Sequence, residues 1–143
     1  MRSARLQVIT PPCHDRAGSF GEEVANGLSA AAKHLPCRFL YDEPGSRLFE
    51  QICAAPEYYP TRTEHAILQS AAHDIVDAVG ADVALSEFGS GNSSKTRVLI
   101  EALLERQDRV LYVPIDISVA HLEQSAHQLL REYRRLWLTA IGG

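Results

Sequence analysis

The chain has 143 residues, 45% of them hydrophobic and 22% charged, with a formal net charge of −4. That is the composition of one ordinary folded domain, and its acidic balance disfavours nucleic acid as a partner bound through phosphates. No apolar run has the length of a membrane span, and Cys13, Cys37 and Cys53 form no Cys-x-x-Cys pair, so they read as reduced thiols of a cytosolic protein.

Residues 1–18 read as an irregular leader. MRSARLQVIT has basic residues but no sustained apolar core before Pro11-Pro12, so no signal peptide is expected here. Ser19 and Glu22 have capping-box spacing and predict a helix to about Leu35, closed by Pro36. Val24, Leu28, Ala31 and Leu35 lie on one face of it. "RFLYDEPGS" predicts a short extended piece and a turn at Pro44-Gly45. Leu48, Phe49, Ile52 and Cys53 mark one side of a short helix, and "APEYYPTRTE" reads as a loop. Thr61 and Glu64 repeat the capping-box spacing, and Ile67, Ala71, Ile75 and Val79 follow at four-residue intervals.

From Ala81 the pattern changes. "DVALSEF" is a short apolar strand ending at a glycine loop. Ser93 or Ser94 is placed to cap a helix carrying Val98, Leu99, Ala102 and Leu103. "RVLYVPID" is a second strand, with Asp116 at its end. Ser118 is placed to cap a helix with Leu122, Ala126, Leu129 and Tyr133, and "LWLTAI" is a third strand. Arg131, Arg134 and Arg135 read as a solvated helix end. The alternation predicts an α/β chain: a partial doubly wound parallel sheet at 81–143, a helical segment at 19–80 and the leader at 1–18. Gly89 and Asp116 then fall at the carboxyl ends of neighbouring strands, where such sheets bind ligands.

The loop "EFGSGNSSKT" admits several readings. A triphosphate loop wants a glycine at Ser94, although Lys95-Thr96 fit, and Glu87 would oppose a polyphosphate. A dinucleotide fingerprint also wants glycine at Ser94. S-adenosylmethionine carries ribose and adenine without phosphate: Gly89 and Gly91 permit close approach, Asp116 suits the ribose, and Lys95 suits the methionine carboxylate. In that reading Glu87 offsets the methionine ammonium. A glycine turn serving only sheet geometry is the plain alternative. His14, His34, His65, His73, His121 and His127 show no metal-binding spacing and read as ordinary surface or core residues.

"LPCRFLYDEPGSRLFEQICAAPEYYPTRTE", "EFGSGNSSKTRVLIEAL" and "YVPIDIS", in that order, resemble the histidine-specific S-adenosylmethionine-dependent methyltransferases, a family with a member on the route to ergothioneine. The resemblance runs from about Leu35 to Tyr133, and fungal N-methyltransferases of dimethylallyltryptophan share parts of it. It implies a Rossmann-like methyltransferase sheet, S-adenosylmethionine as cofactor, and transfer to the α-amine of L-histidine or a related amino acid. By position it implies cofactor contacts at Gly89, Lys95 and Asp116, with Tyr41 near the methionine end, and Tyr58 lining the histidine pocket. It implies no catalytic side chain and no metal.

Members of that family are longer, and the rest of the sheet and most of the histidine-binding part have no counterpart here. The resemblance therefore implies an incomplete copy with little activity alone, and an open edge on "DVALSEF" that offers self-association. The alternative is a non-catalytic cofactor-binding fragment, or one part of a two-chain assembly.

Overall fold

The computed structural model describes residues 5–12 and 19–143. Cys13 and His14 lie outside the described residues. The strands β1 (Leu6–Ile9), β2 (Ala84–Phe88), β3 (Val110–Asp116) and β4 (Leu136–Gly142) form a parallel sheet in the order β1–β4–β3–β2. Helix α4 (Arg97–Arg106) crosses from β2 to β3, and α5 (Val119–Glu132) crosses from β3 to β4. The α/β architecture predicted from the strand–helix alternation is present, with a helical segment ahead of it.

The core lies where the crossovers meet the two inner strands. Val110 and Tyr112 of β3 and Leu136, Leu138 and Ala140 of β4 are buried. Ile100, Ala102 and Leu103 of α4 and Leu122, Ala126 and Leu129 of α5 are buried with them. These helix residues recur at three- and four-residue spacing, which sets one apolar face against the sheet.

The stretch read as an irregular leader contains a strand instead. Leu6 to Ile9 pair with Leu138 to Ile141 of β4. The Arg5 guanidinium fastens the entry by donating to the carbonyls of Leu130 at 2.9 Å and Tyr133 at 2.8 Å, at the end of α5. LQVI is too short for its alternation to stand out in sequence.

The helical segment departs from expectation in several places. Arg38, Phe39 and Leu40, read as extended, lie in a 3-10 turn at Cys37–Leu40, and the second half of the expected loop "APEYYPTRTE" is helical from Pro60. Helix α1 (Phe20–Ser29) has the predicted capping box of Ser19 and Glu22 but stops at Ser29. Beyond it the chain folds back, the His34 N–H donates to the Gly27 carbonyl at 3.2 Å, and the His34 carbonyl occupies the space a Gly27 Cβ would need. Pro44-Gly45 is the first turn of α2 (Glu43–Ala54) rather than a free turn. Asp42 caps that helix by accepting from the Gly45 N–H at 2.8 Å, and Pro44 sits where a helix needs no N–H donor. Helix α3 (Pro60–Val79) starts at Pro60 without a side-chain cap, so the Thr61–Glu64 box does not form. Its buried residues are Ala72 and Val76, whereas Ile67, Ile75 and Val79 of the predicted stripe are exposed. Packing of α3 on α4 favours the small side chain of Ala72 at the contact and leaves the larger stripe outside.

Candidate functional site

The site begins where β2 and β3 end side by side. Phe88 is in register with Ile115, so the chain leaves β2 directly beside Asp116. The turn needs left-handed backbone at Gly89 (φ 67°) and Gly91 (φ 50°), and open space lies where a Cβ would stand on either. Asp116 holds the turn from the next strand. One carboxylate oxygen accepts from the Gly91 N–H and the other from the Ser118 N–H, both at 2.9 Å.

The amides of Gly89, Ser90, Gly91, Ser93 and Ser94 in this loop are engaged within the protein. Gly89 and Ser90 donate to the Ile115 carbonyl, Ser93 to the Ser90 carbonyl, and Ser94 to the Asn92 side chain at 3.0 Å. A phosphate cradle works by aiming successive free N–H groups at the anion. This loop offers close backbone approach without that row of donors, which argues against the triphosphate reading.

Glu87 does not border the cavity, contrary to the expectation that it faces the ligand ammonium. Its carboxylate accepts from the Thr96 hydroxyl at 2.6 Å and from the Tyr112 hydroxyl. Tyr112 is fully buried, and its hydroxyl also lies 3.0 Å from the Ser93 hydroxyl. Burial, with the Glu87 carboxylate beside it, pushes the Tyr112 pKa well above the ordinary tyrosine value, so it remains a neutral donor. Ser93 is a non-glycine residue at φ 54°, held from beneath by this network. It does not act as the helix cap its position suggests; Thr96 precedes α4 without a side-chain cap bond.

Above the loop is a cavity of about 750 Å³. The five residues singled out from the sequence, Tyr41, Tyr58, Gly89, Lys95 and Asp116, all border it. Tyr41, Phe49 and Tyr58 form an edge-to-face series with ring centroids 6.5 and 6.1 Å apart, giving one aromatic wall. Tyr58 is set by Arg62, whose guanidinium donates to the carbonyls of Ala55 at 2.9 Å, Pro56 at 2.6 Å and Tyr58 at 3.3 Å. The Lys95 ammonium is paired with the Glu64 carboxylate of α3.

Sequence reasoning missed a second group on the same wall. Glu50 of α2 accepts from the Asn92 amide at 3.0 Å and stands 3.6 Å from the His121 ring. By sequence spacing alone His121 is an ordinary histidine. Its only sequence signal is its place in the first turn of the helix after Asp116; Glu50 closes the motif "FLYDEPGSRLFE". Among the described residues, no cluster of His, Cys, Asp and Glu is arranged to hold a metal, and no helix is long and apolar enough to cross a membrane.

A parallel α/β sheet with a glycine turn after one strand and an acid ending the next is the frame of a Rossmann-like methyltransferase. A family model described as histidine-specific methyltransferase, SAM-dependent, matches residues 20–143, and the chain belongs to that family. It is similar to the histidine N-alpha-methyltransferase of Mycolicibacterium smegmatis, 40% identical over 127 residues, covering 89% of this chain and 39% of that protein. The protein of the same name in Mycobacterium tuberculosis is 41% identical over 121 residues, covering 85% of this chain and 37% of that protein. A 4-dimethylallyltryptophan N-methyltransferase of Claviceps purpurea is 30% identical over 124 residues, covering 87% of this chain and 36% of that protein. The chain thus spans well under half the length of these curated relatives.

Proposed function

We propose that this chain forms the S-adenosylmethionine site, and one wall of the amino-acid pocket, of an N-methyltransferase that acts on the α-amine of L-histidine in an ergothioneine-type pathway. The observation that carries the reading is the convergence of Gly89, Asp116, Lys95, Tyr41 and Tyr58 on one cavity, beside a loop in which the amides of Gly89, Ser90, Gly91, Ser93 and Ser94 are already engaged. The open space at Gly89 and Gly91 fits a ligand that lies against backbone. S-adenosylmethionine, when bound, supplies an electrophilic methyl group on a sulfonium.

The protein's part is orientation. Asp116 has lone pairs left for ribose hydroxyls after its two backbone bonds. Lys95 suits a ligand carboxylate, which would share it with Glu64 or displace Glu64 from it. The aromatic wall excludes water beside the reacting amine, which must be unprotonated to accept the methyl. In this reading the chain alone transfers methyl slowly, because Tyr58 is one wall of a larger pocket. Free thiols at Cys37 and Cys53 support a reducing compartment, the cytoplasm.

Calorimetry with S-adenosylmethionine, S-adenosylhomocysteine, NAD and ATP–magnesium tests the reading. Saturable binding of the first two alone is expected. Binding of ATP–magnesium, with none of the methyl donor or its product, overturns it.

A further inference from the structure

Helix α2 supplies Phe49, Glu50 and Cys53 to the cavity, yet none of its residues is buried. Leu48, Phe49 and Ile52 are all exposed. Apolar burial therefore does little to fix this helix over the loop, although its position sets the aromatic wall. Arg62 ties the connection from α2 to α3 to itself, not to the sheet. A polar contact reaches from the middle of α2 to the α/β unit. The Glu50 carboxylate accepts from Asn92 in the glycine loop and lies beside His121 in α5.

We propose that Glu50 is a positioning residue: it docks α2 on the glycine loop and thereby couples the aromatic wall to the cofactor turn. The geometry gives the tie two consequences. Phe49 precedes Glu50, so fixing the carboxylate fixes the helix rotation that brings the Phe49 ring edge-on to Tyr41 and Tyr58. Asn92 sits between Gly91 and Ser93, and its side-chain carbonyl accepts from the Ser94 N–H while its amide serves Glu50. One amide side chain thus closes the loop on itself and onto α2. Order in the turn and order in the wall become one event, so a ligand that steadies the turn also steadies the wall.

Hydrogen exchange on the whole ligand-free chain tests the tie, and so does calorimetry with S-adenosylhomocysteine. Glu50→Ala and Asn92→Ala are each expected to raise exchange about tenfold in both α2 and the loop, as loss of a charge-assisted hydrogen bond would. In α2 the double variant should add little beyond either one, because both remove the Glu50–Asn92 bond; Asn92→Ala also frees the Ser94 N–H within the loop. Glu50→Gln, which keeps an acceptor for Asn92, should restore most of the protection. Glu43→Ala, which removes an exposed pair with Arg47 on the same helix, should leave the loop unchanged. Glu50→Ala should also weaken S-adenosylhomocysteine binding with little change in the melting temperature. Unchanged loop exchange in Glu50→Ala, or fully additive effects of Glu50 and Asn92 in α2, overturns the proposal. The ligand arm rests on the cofactor reading. If exchange is coupled but the wild-type chain binds no S-adenosylhomocysteine, that reading fails and the tie stands.

Discussion

Asp116 holds the glycine turn through both carboxylate oxygens, and in the proposed site the same carboxylate would also serve the ligand. Its oxygens hold Gly91 and Ser118, while its remaining lone pairs are available to a ligand. Asp116→Ala should weaken S-adenosylhomocysteine binding by about 1.5–3 kcal/mol, the value of a charge-assisted hydrogen bond. Glu123, exposed on α5, is the matched control and should change affinity little. Calorimetry on both variants checks this, and equal affinities would remove Asp116 from the site. Glu101 is a poorer control, since it accepts from Tyr133 at 2.6 Å, and burial together with that bond pushes Tyr133 up to about 12. At this scale the sequence was most legible where chain order itself sets position. Gly89, Lys95 and Asp116 follow strand ends and need only the strand–turn–helix syntax to be found. Glu50, Glu64 and His121 are brought together by packing between distant helices, and no local spacing encodes that. Glu64 shows the difference: its spacing from Thr61 suggested a cap, but its carboxylate pairs with Lys95.

Among elements, the glycine loop is supported from both sides: Asp116 holds its first half, and the Glu87–Tyr112–Thr96–Ser93 network holds its second half from below. Tyr112→Phe keeps the ring in the core and removes only the hydroxyl. Glu87 then loses a donor in a part-buried place, at a stability cost of about 1–3 kcal/mol. Thermal unfolding should register that loss, and calorimetry should record weaker S-adenosylhomocysteine binding as Ser93 loosens. A variant with unchanged melting and affinity would show that Thr96 alone holds Glu87. The strands β3 and β4 and both crossover helices were legible because their apolar residues are the ones buried, whereas β2 was legible from its place before the glycine loop, since none of its residues is buried. Faces were less legible in the helical segment. The α3 stripe of Ile67, Ile75 and Val79 has helical spacing but faces outward, since spacing marks an apolar face without saying what covers it. Pro44-Gly45 has the composition of a turn, and only the Asp42 cap makes it a helix start.

For the whole molecule, the two edges of the sheet decide association. The leader pairs with β4, so it does not cover β2, and Phe88 at the end of β2 is 84% exposed. Unpaired edge groups beside apolar surface recruit other chains. We therefore expect concentration-dependent self-association in sedimentation velocity, suppressed by a charge on that edge in Ala84→Lys. A concentration-independent monomer with a sharp, high melting transition would show that β2 needs no partner. The pairing of β1 with β4 has another consequence, in the order of events during synthesis. These strands lie far apart in sequence, so the whole segment between them must leave the ribosome before Leu6 meets Leu138. Closing so long a loop adds little to the equilibrium cost, because that cost grows only with the logarithm of length. The consequence is kinetic: the most sequence-distant of the described sheet contacts is among the last available, and β4 keeps a bare flank until Leu6 to Ile9 reach it.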